Sequence, residues 1–334
     1  MALTVENCPG TLAAEHKTYS RTALSRVFDN QKVSHLLSFS YDENAHAEID
    51  ENIIKISISG AQEKLSAIIN AGRVCLTPEG VQGRYIIKPI PDNKRLRYRQ
   101  FMPANEHLTM QIARQVYNIK TAENAMIFFK NEEPAYITKR FDVNVDGSKT
   151  QQEDFASLQG KTAKLNGDNF KYTGNYFDVK QVFTAFVAAW KVEISKFFKL
   201  IVFNYIFANG DAHLKNFSLQ RTLNGDYIIS PAYDLINSSL HVNDSDFALE
   251  GGLFPQEYNS KIYNEKGHPC SDDFRTFGEL LEIPENQILK ILKEFAVEQP
   301  SVYELIKRSY LDERMKRMYK RSYDERISRF IRTS

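Results

Sequence analysis

Four polar residues crowd into one short stretch, NGDAHLKNFSL at 209–219: Asp211, His213, Lys215 and Asn216. Asp234 follows in SPAYDLINSS. An aspartate can take a proton from a hydroxyl. An amide oxygen and a second carboxylate are hard ligands suited to Mg2+, which binds few protein groups and completes its shell with water and phosphate oxygens. For these groups to meet, the chain must fold back between them. FSLQRT and YIISPA, turning at LNGD, form a predicted hairpin that returns Asp234 to the side of Asn216. The loop follows the apolar run FFKLIVFNYIFA and ends in Phe217-Ser218-Leu219, so buried elements hold it at both ends. A loop clamped in this way can aim its side chains.

This spacing is that of a protein-kinase catalytic loop: an Asp for the substrate hydroxyl, an Asn five residues on, and an Asp after a hairpin. The usual HRD and DFG letters are absent. The same chemistry needs an upstream lysine for the phosphates and a carboxylate to position it. Lys88 ends the strand RYIIK, and Glu106 opens the next helix. ISISGAQEK at 56–64 offers a strand, a loop and a strand with one glycine to cap phosphates. Each residue alone has a plainer reading. Asp211 and Asn216 suit a turn, Lys88 a solvated strand end, and Glu106 a helix N-terminus favoured by the dipole. His213 reads equally well as a packed histidine bonding backbone. Ser57 and Ser59 alternate with Ile56 and Ile58, as in any half-buried strand.

The elements around these residues change character along the chain. IIKISISG (53–60), KLSAIIN (64–70), RVCLTP (73–78) and RYIIKPI (84–90) predict short strands. PANEHLTMQIARQVYNI (103–119) predicts a helix with Leu108, Ile112 and Val116 on one face, capped by Asn105 or the residues before it, with Glu106 in the first turn. AMIFFK (125–130) and AYITKRFDV (135–143) predict a strand pair about the turn NEEP. Residues 144–176 are polar and dotted with glycine, which suggests a junction or a mobile insertion. FDVKQVFTAFVAAW (177–190) and ISKFFKLIVFNYIFA (194–208) predict two core helices, with Trp190 in the core, and the chain from about 284 is again helical. The expected division is a β-rich part at 1–142 and a mainly helical part at 143–334. No internal repeat is present.

Composition removes several classes. The 334 residues carry a formal net charge of +1, so no global field favours nucleic acid or an anionic membrane. Cys8, Cys75 and Cys270 lie far apart with no CxxC pair, against a zinc site or disulfide scaffold. No apolar run nears the roughly 20 residues of a membrane span. The start lacks the basic and apolar parts of a secretory signal. A cytoplasmic protein is expected, with export by another route left open. The segment 307–332 holds ten Lys/Arg against four Asp/Glu, read as the solvated face of a terminal helix.

SISGAQEK, IIKP, NEHLTMQIA, ITKRFD, QEDF, NGDAHLKNFSL and PAYDL, in this order, resemble the HipA family of bacterial Ser/Thr kinases, from about residue 53 to the C-terminal helices. The resemblance implies an α+β, two-lobed, protein-kinase-like fold. It is similar to short forms without the N-terminal subdomain of full-length HipA, such as HipT toxins and secreted HipA-like kinases. It implies ATP and Mg2+, with Asp211 as catalytic base and Asn216 and Asp234 as metal ligands. Lys88, paired with Glu106, would contact the phosphates, with His213 near them. Ser59, Gly60 and Ala61 would belong to the phosphate loop, and Lys139 and Phe141 to the adenine-facing hinge. Ser57 and Ser59 match serines that such kinases autophosphorylate, and phosphate there adds about −1.5 to −2 charge beside the triphosphate. The implied partners are a protein substrate such as an aminoacyl-tRNA synthetase, a HipB-like DNA-binding antitoxin and a small HipS-like protein. No direct nucleic-acid or membrane contact is implied. The alternatives are an exported effector kinase, a small-molecule phosphotransferase and a catalytically silent scaffold.

Overall fold

The computed structural model describes residues 4–41 and 63–331. The predicted strand at 53–60, with Ser57, Ser59, Gly60 and Ala61, lies outside the described residues. The fold is α+β. Strands β1 (Leu65–Asn70), β2 (Arg73–Leu76), β3 (Tyr85–Lys88), β4 (Asn124–Phe128) and β5 (Pro134–Lys139) form an antiparallel sheet in the order β2-β1-β3-β5-β4. Strands β6 (Gln152–Asp154), β7 (Ser218–Arg221) and β8 (Tyr227–Ile229) form a second, three-stranded sheet. Helices dominate after residue 179.

The first sheet is buried on both faces, and its pleat sorts residues between two cores. Leu65, Ile87, Ile137 and Ala125 pair across β1, β3, β5 and β4 in one row. That row packs against the N-terminal segment, through Tyr19, Val27, Phe28 and Val33. The next row, Lys88, Tyr136 and Met126, points the opposite way. There lies the helix Met102–Gln115, whose residues from Pro103 to Ala113 are all buried. The N-terminal segment also closes the β4 edge: Leu37 N–H donates to Phe128 C=O at 2.8 Å, and Phe128 N–H to His35 C=O at 2.8 Å.

Four expectations are corrected. Met102–Gln115 begins earlier than predicted and has no side-chain cap; Asn105 sits inside it, and Glu106 lies beyond the first turn. Asn105 instead bonds outward, donating from Nδ2 to Asn237 C=O at 2.9 Å and accepting Asn237 N–H at 3.1 Å. The region 144–176 is folded, with β6 pairing to β7 and short helices at Phe155–Leu158 and Ala163–Asn166. The helix predicted at 177–190 is shorter, Lys180–Phe186, because the backbone turns extended at Val187. Trp190 opens the next helix, Trp190–Ile206, and is only partly buried. The C-terminal helices Glu285–Phe295, Pro300–Arg308 and Glu313–Phe330 form as expected; the last buries Met315, Tyr319, Tyr323 and Phe330. Among the described residues, no helix is long and apolar enough to cross a membrane.

Candidate functional site

Lys88 reaches the cleft because Ile87 does not. Alternation along β3 buries Ile87 against the N-terminal segment, so the following side chain faces the helix Met102–Gln115. Its Nζ meets Glu106 Oε1 at 2.6 Å and also bonds Asp234 Oδ1. Lys88 and Glu106 are each 5% exposed. Burial alone would discharge Lys88, but the carboxylates of Asp234 and Glu106 outweigh it and hold the ammonium charged well above the usual range. Burial likewise raises Asp234, yet the charges of Lys88 and Lys64 prevail and keep it ionised far below its ordinary value. Glu106 is pushed up by burial, with Lys88 pulling against that shift. The three groups therefore act as one charge cluster joining sheet, helix and hairpin exit.

The hairpin forms as its sequence predicts: Leu219 pairs with Ile229, and Arg221 with Tyr227. Glu193 fastens it to the helix Trp190–Ile206 by accepting Ile229 N–H at 3.0 Å. Asp234, at its exit, has φ 56°, a left-handed backbone unusual for a residue with a side chain. Such a conformation persists only where its surroundings enforce it.

The loop at 209–216 is braced from several sides. Asn209 accepts Asp211 N–H at 3.3 Å, and its Nδ2 donates to Asn204 Oδ1 at 2.8 Å and to Asp234 C=O at 3.5 Å. It thus ties the backbones of the two aspartates together. Gly210 has no room for a side chain: a Cβ there would lie 2.5 Å from Asp244 Cγ and from Ser245 O. Asn216 donates from Nδ2 to Asp211 C=O at 3.1 Å, which directs its Oδ1 to the other side of the amide. His213 is 7% exposed, its Nδ1 has no hydrogen-bond partner among the described residues, and burial drives its pKa down to about 4. Asp211 is exposed, and Tyr172 donates to its Oδ1 at 3.0 Å. Tyr172 comes from the stretch expected to be a junction or a mobile insertion. A tyrosine in a polar, glycine-dotted segment carries no sequence signal for this position.

Lys139 and Phe141 mark where the chain leaves the first sheet. The Lys139 ammonium pairs with Asp29 at 2.5 Å, and its N–H donates to Glu123 C=O at 2.7 Å. Phe141 C=O accepts Gln220 Nε2 at 2.8 Å, and its ring lies 5.8 Å from that of Tyr233, beside Asp234. The structure therefore gathers Lys88, Glu106 and Asp234 directly and holds Asp211 and Asn216 on the loop braced to Asp234. Among the described residues, no three or more His, Cys, Asp or Glu side chains form a metal cage. One amide oxygen and one carboxylate fit an ion that takes its remaining oxygens from phosphates and water. A cavity of about 850 Å³ lies elsewhere, lined by Asp244, Phe247, Tyr263, Lys266 and Arg329 but by none of these five residues.

The sequence pattern described as the HipA-like C-terminal domain matches residues 56–302. A Haemophilus influenzae protein named as a candidate kinase is 27% identical over 307 residues, spanning 88% of this chain and 87% of its own length. The candidate kinase Y4dM of Sinorhizobium fredii is 29% identical over 62% of this chain; the match spans only about half, 51%, of that relative. Among solved structures, HipA in the Shewanella oneidensis complex with HipB and operator DNA aligns with a TM-score of 0.63 at 19% identity, over 82% of this chain and 65% of that one. The Helicobacter pylori proinflammatory kinase CtkA aligns with a TM-score of 0.52 at 18% identity, over 83% and 91%. At these identities the two structures speak to the fold.

Proposed function

The chain belongs to the HipA-like C-terminal domain family, and from that premise we propose that it is an ATP- and Mg2+-dependent protein Ser/Thr kinase. The observation that carries the reading is the cluster of Lys88, Glu106 and Asp234, drawn from a strand, a helix and a hairpin exit onto one point. Lys88, kept charged, binds the α- and β-phosphates, and Glu106 sets its position. Asn216 Oδ1 and the Asp234 carboxylate would hold Mg2+, which would offset the negative charge of the phosphates. Asp211 accepts the proton of a serine or threonine hydroxyl as that oxygen bonds the γ-phosphorus. The bond from phosphorus to the β-phosphate oxygen breaks, and ADP leaves with the electron pair. His213, buried with a ring nitrogen that is unsatisfied among the described residues, stands ready to donate toward the phosphates. The adenine is placed against the stretch holding Lys139 and Phe141.

The same reading takes Ser59, Gly60 and Ala61 as phosphate-loop residues and Ser57 and Ser59 as autophosphorylation sites. It makes the protein a cytoplasmic toxin of a toxin–antitoxin pair, acting on a protein such as an aminoacyl-tRNA synthetase. The HipA neighbour, seen with HipB and operator DNA, supports a DNA-binding antitoxin as partner. Incubation with γ-phosphate-labelled ATP, Mg2+ and bacterial lysate tests the activity. Labelled protein bands with wild type and label about a thousandfold weaker with Asp211→Asn are expected; ATP consumption only on adding a small amine contradicts the reading.

A further inference from the structure

The exposed carboxylate of Asp211 is held by a residue from a distant part of the chain. Tyr172 closes the short turn Phe170–Tyr172, and its hydroxyl donates to Asp211 Oδ1 at 3.0 Å. Its ring stands edge-on to the His213 imidazole, with centroids 5.2 Å apart.

The backbone that delivers Tyr172 is fixed on both sides. Glu250 N–H donates to Tyr172 C=O at 2.9 Å, Gly251 N–H to Gly174 C=O at 2.9 Å, and Tyr176 N–H to Gly252 C=O at 3.0 Å. Gly251 packs so closely that a Cβ would lie 2.8 Å from Gly174 O. Lys161 Nζ donates to Thr173 C=O at 2.8 Å. Tyr176 then reaches the loop itself, donating from its hydroxyl to Ala212 C=O at 2.8 Å. Two tyrosines four residues apart thus grip the same loop, one by its backbone and one by its carboxylate.

An exposed aspartate otherwise samples several rotamers, and each unproductive one lowers the rate of a reaction that needs a fixed angle of approach. We propose that Tyr172 is a positioning residue for Asp211: it occupies Oδ1 and fixes the carboxylate so that Oδ2 faces the acceptor hydroxyl. This rests on the kinase reading of Asp211. Burial, then the charge of Asp211, pushes the Tyr172 phenol up, so it remains a donor at neutral pH. It takes no proton and forms no bond to phosphate.

Tyr172→Phe keeps the ring and removes the donor. With labelled ATP and dephosphorylated casein as acceptor, alongside label taken up by the chain itself, kcat is expected to fall about ten- to hundredfold, the scale of one hydrogen bond to a charged group. KM for ATP and Tm stay at wild-type values. In an Asp211→Asn background the same change has no further effect, because the carboxylate it positions is already gone. A wild-type kcat in Tyr172→Phe overturns the inference. So does an equal further loss in the Asp211→Asn background, which marks a packing role, and this second comparison decides even if Tyr172→Phe lowers Tm. Wild-type protein that transfers no label overturns the kinase reading and this inference with it.

Discussion

Two corners of the site treat their carboxylates in opposite ways. At one, Lys88 is enclosed between Glu106 and Asp234, and every charge has its counter-charge within reach. At the other, Asp211 stands exposed, steadied by one phenol and by backbone bonds around it. The difference separates holding from reacting. A closed ionic cluster fixes the relation of sheet, helix and hairpin, and removing Lys88 leaves buried Glu106 and half-buried Asp234 without a counter-charge. An open carboxylate adds little to stability but can meet a substrate.

That contrast is easiest to break at the closed corner. Lys88→Met should abolish phosphate transfer and cost about 3–5 kcal/mol of stability, because Glu106 and Asp234 then face each other without a cation; urea unfolding beside a transfer assay measures both. At the open corner, Asp211→Asn should lower transfer about a thousandfold, the scale of a lost general base. Its unfolding midpoint should match wild type, and a matched loss of stability would erase the distinction between the corners. Gly210→Ala sharpens the contrast from below the loop. Its Cβ collides with Asp244 and Ser245, so an overpacking cost of about 1–3 kcal/mol is expected in thermal unfolding.

The smallest effect is one of pH. His107, next to Glu106 on the buried helix, is held neutral by burial, its pKa lowered to about 4. Its unfolded value is about 6.5. The unfolded chain therefore binds the proton first, and stability is full above about pH 6.5 and declines as pH falls toward 4. His107→Gln should flatten that decline in urea midpoints measured across the window, and an unchanged slope would assign the acid sensitivity elsewhere.

The sequence carried the charged residues of both corners but not everything that holds them in place. Asp211, Asn216 and Asp234 could be read because a hairpin converts their spacing into proximity, and FSLQRT and YIISPA carry that hairpin locally. Lys88 could be placed by alternation along RYIIK. On the buried helix, Leu108 and Ile112 were legible as its apolar face and Glu106 as the partner of Lys88. Asn105 looked like a cap because its partners are remote: it bonds Asn237, 132 residues away, and His241, 136 residues away. Tyr172 was invisible for the same reason, since its anchors at 250–252 lie in another part of the chain. Trp190 misled by type, because a large aromatic at a helix start can rest half-covered on the core rather than enter it.

Titration calorimetry of ATP with Mg2+ into wild type, Lys88→Met and Asp234→Asn measures whether side chains from both parts of the molecule serve one nucleotide. Wild type should bind with a single site that requires Mg2+, and each substitution should weaken that site. Wild type that takes up no heat with ATP and Mg2+, or binding that both substitutions leave untouched, would contradict it.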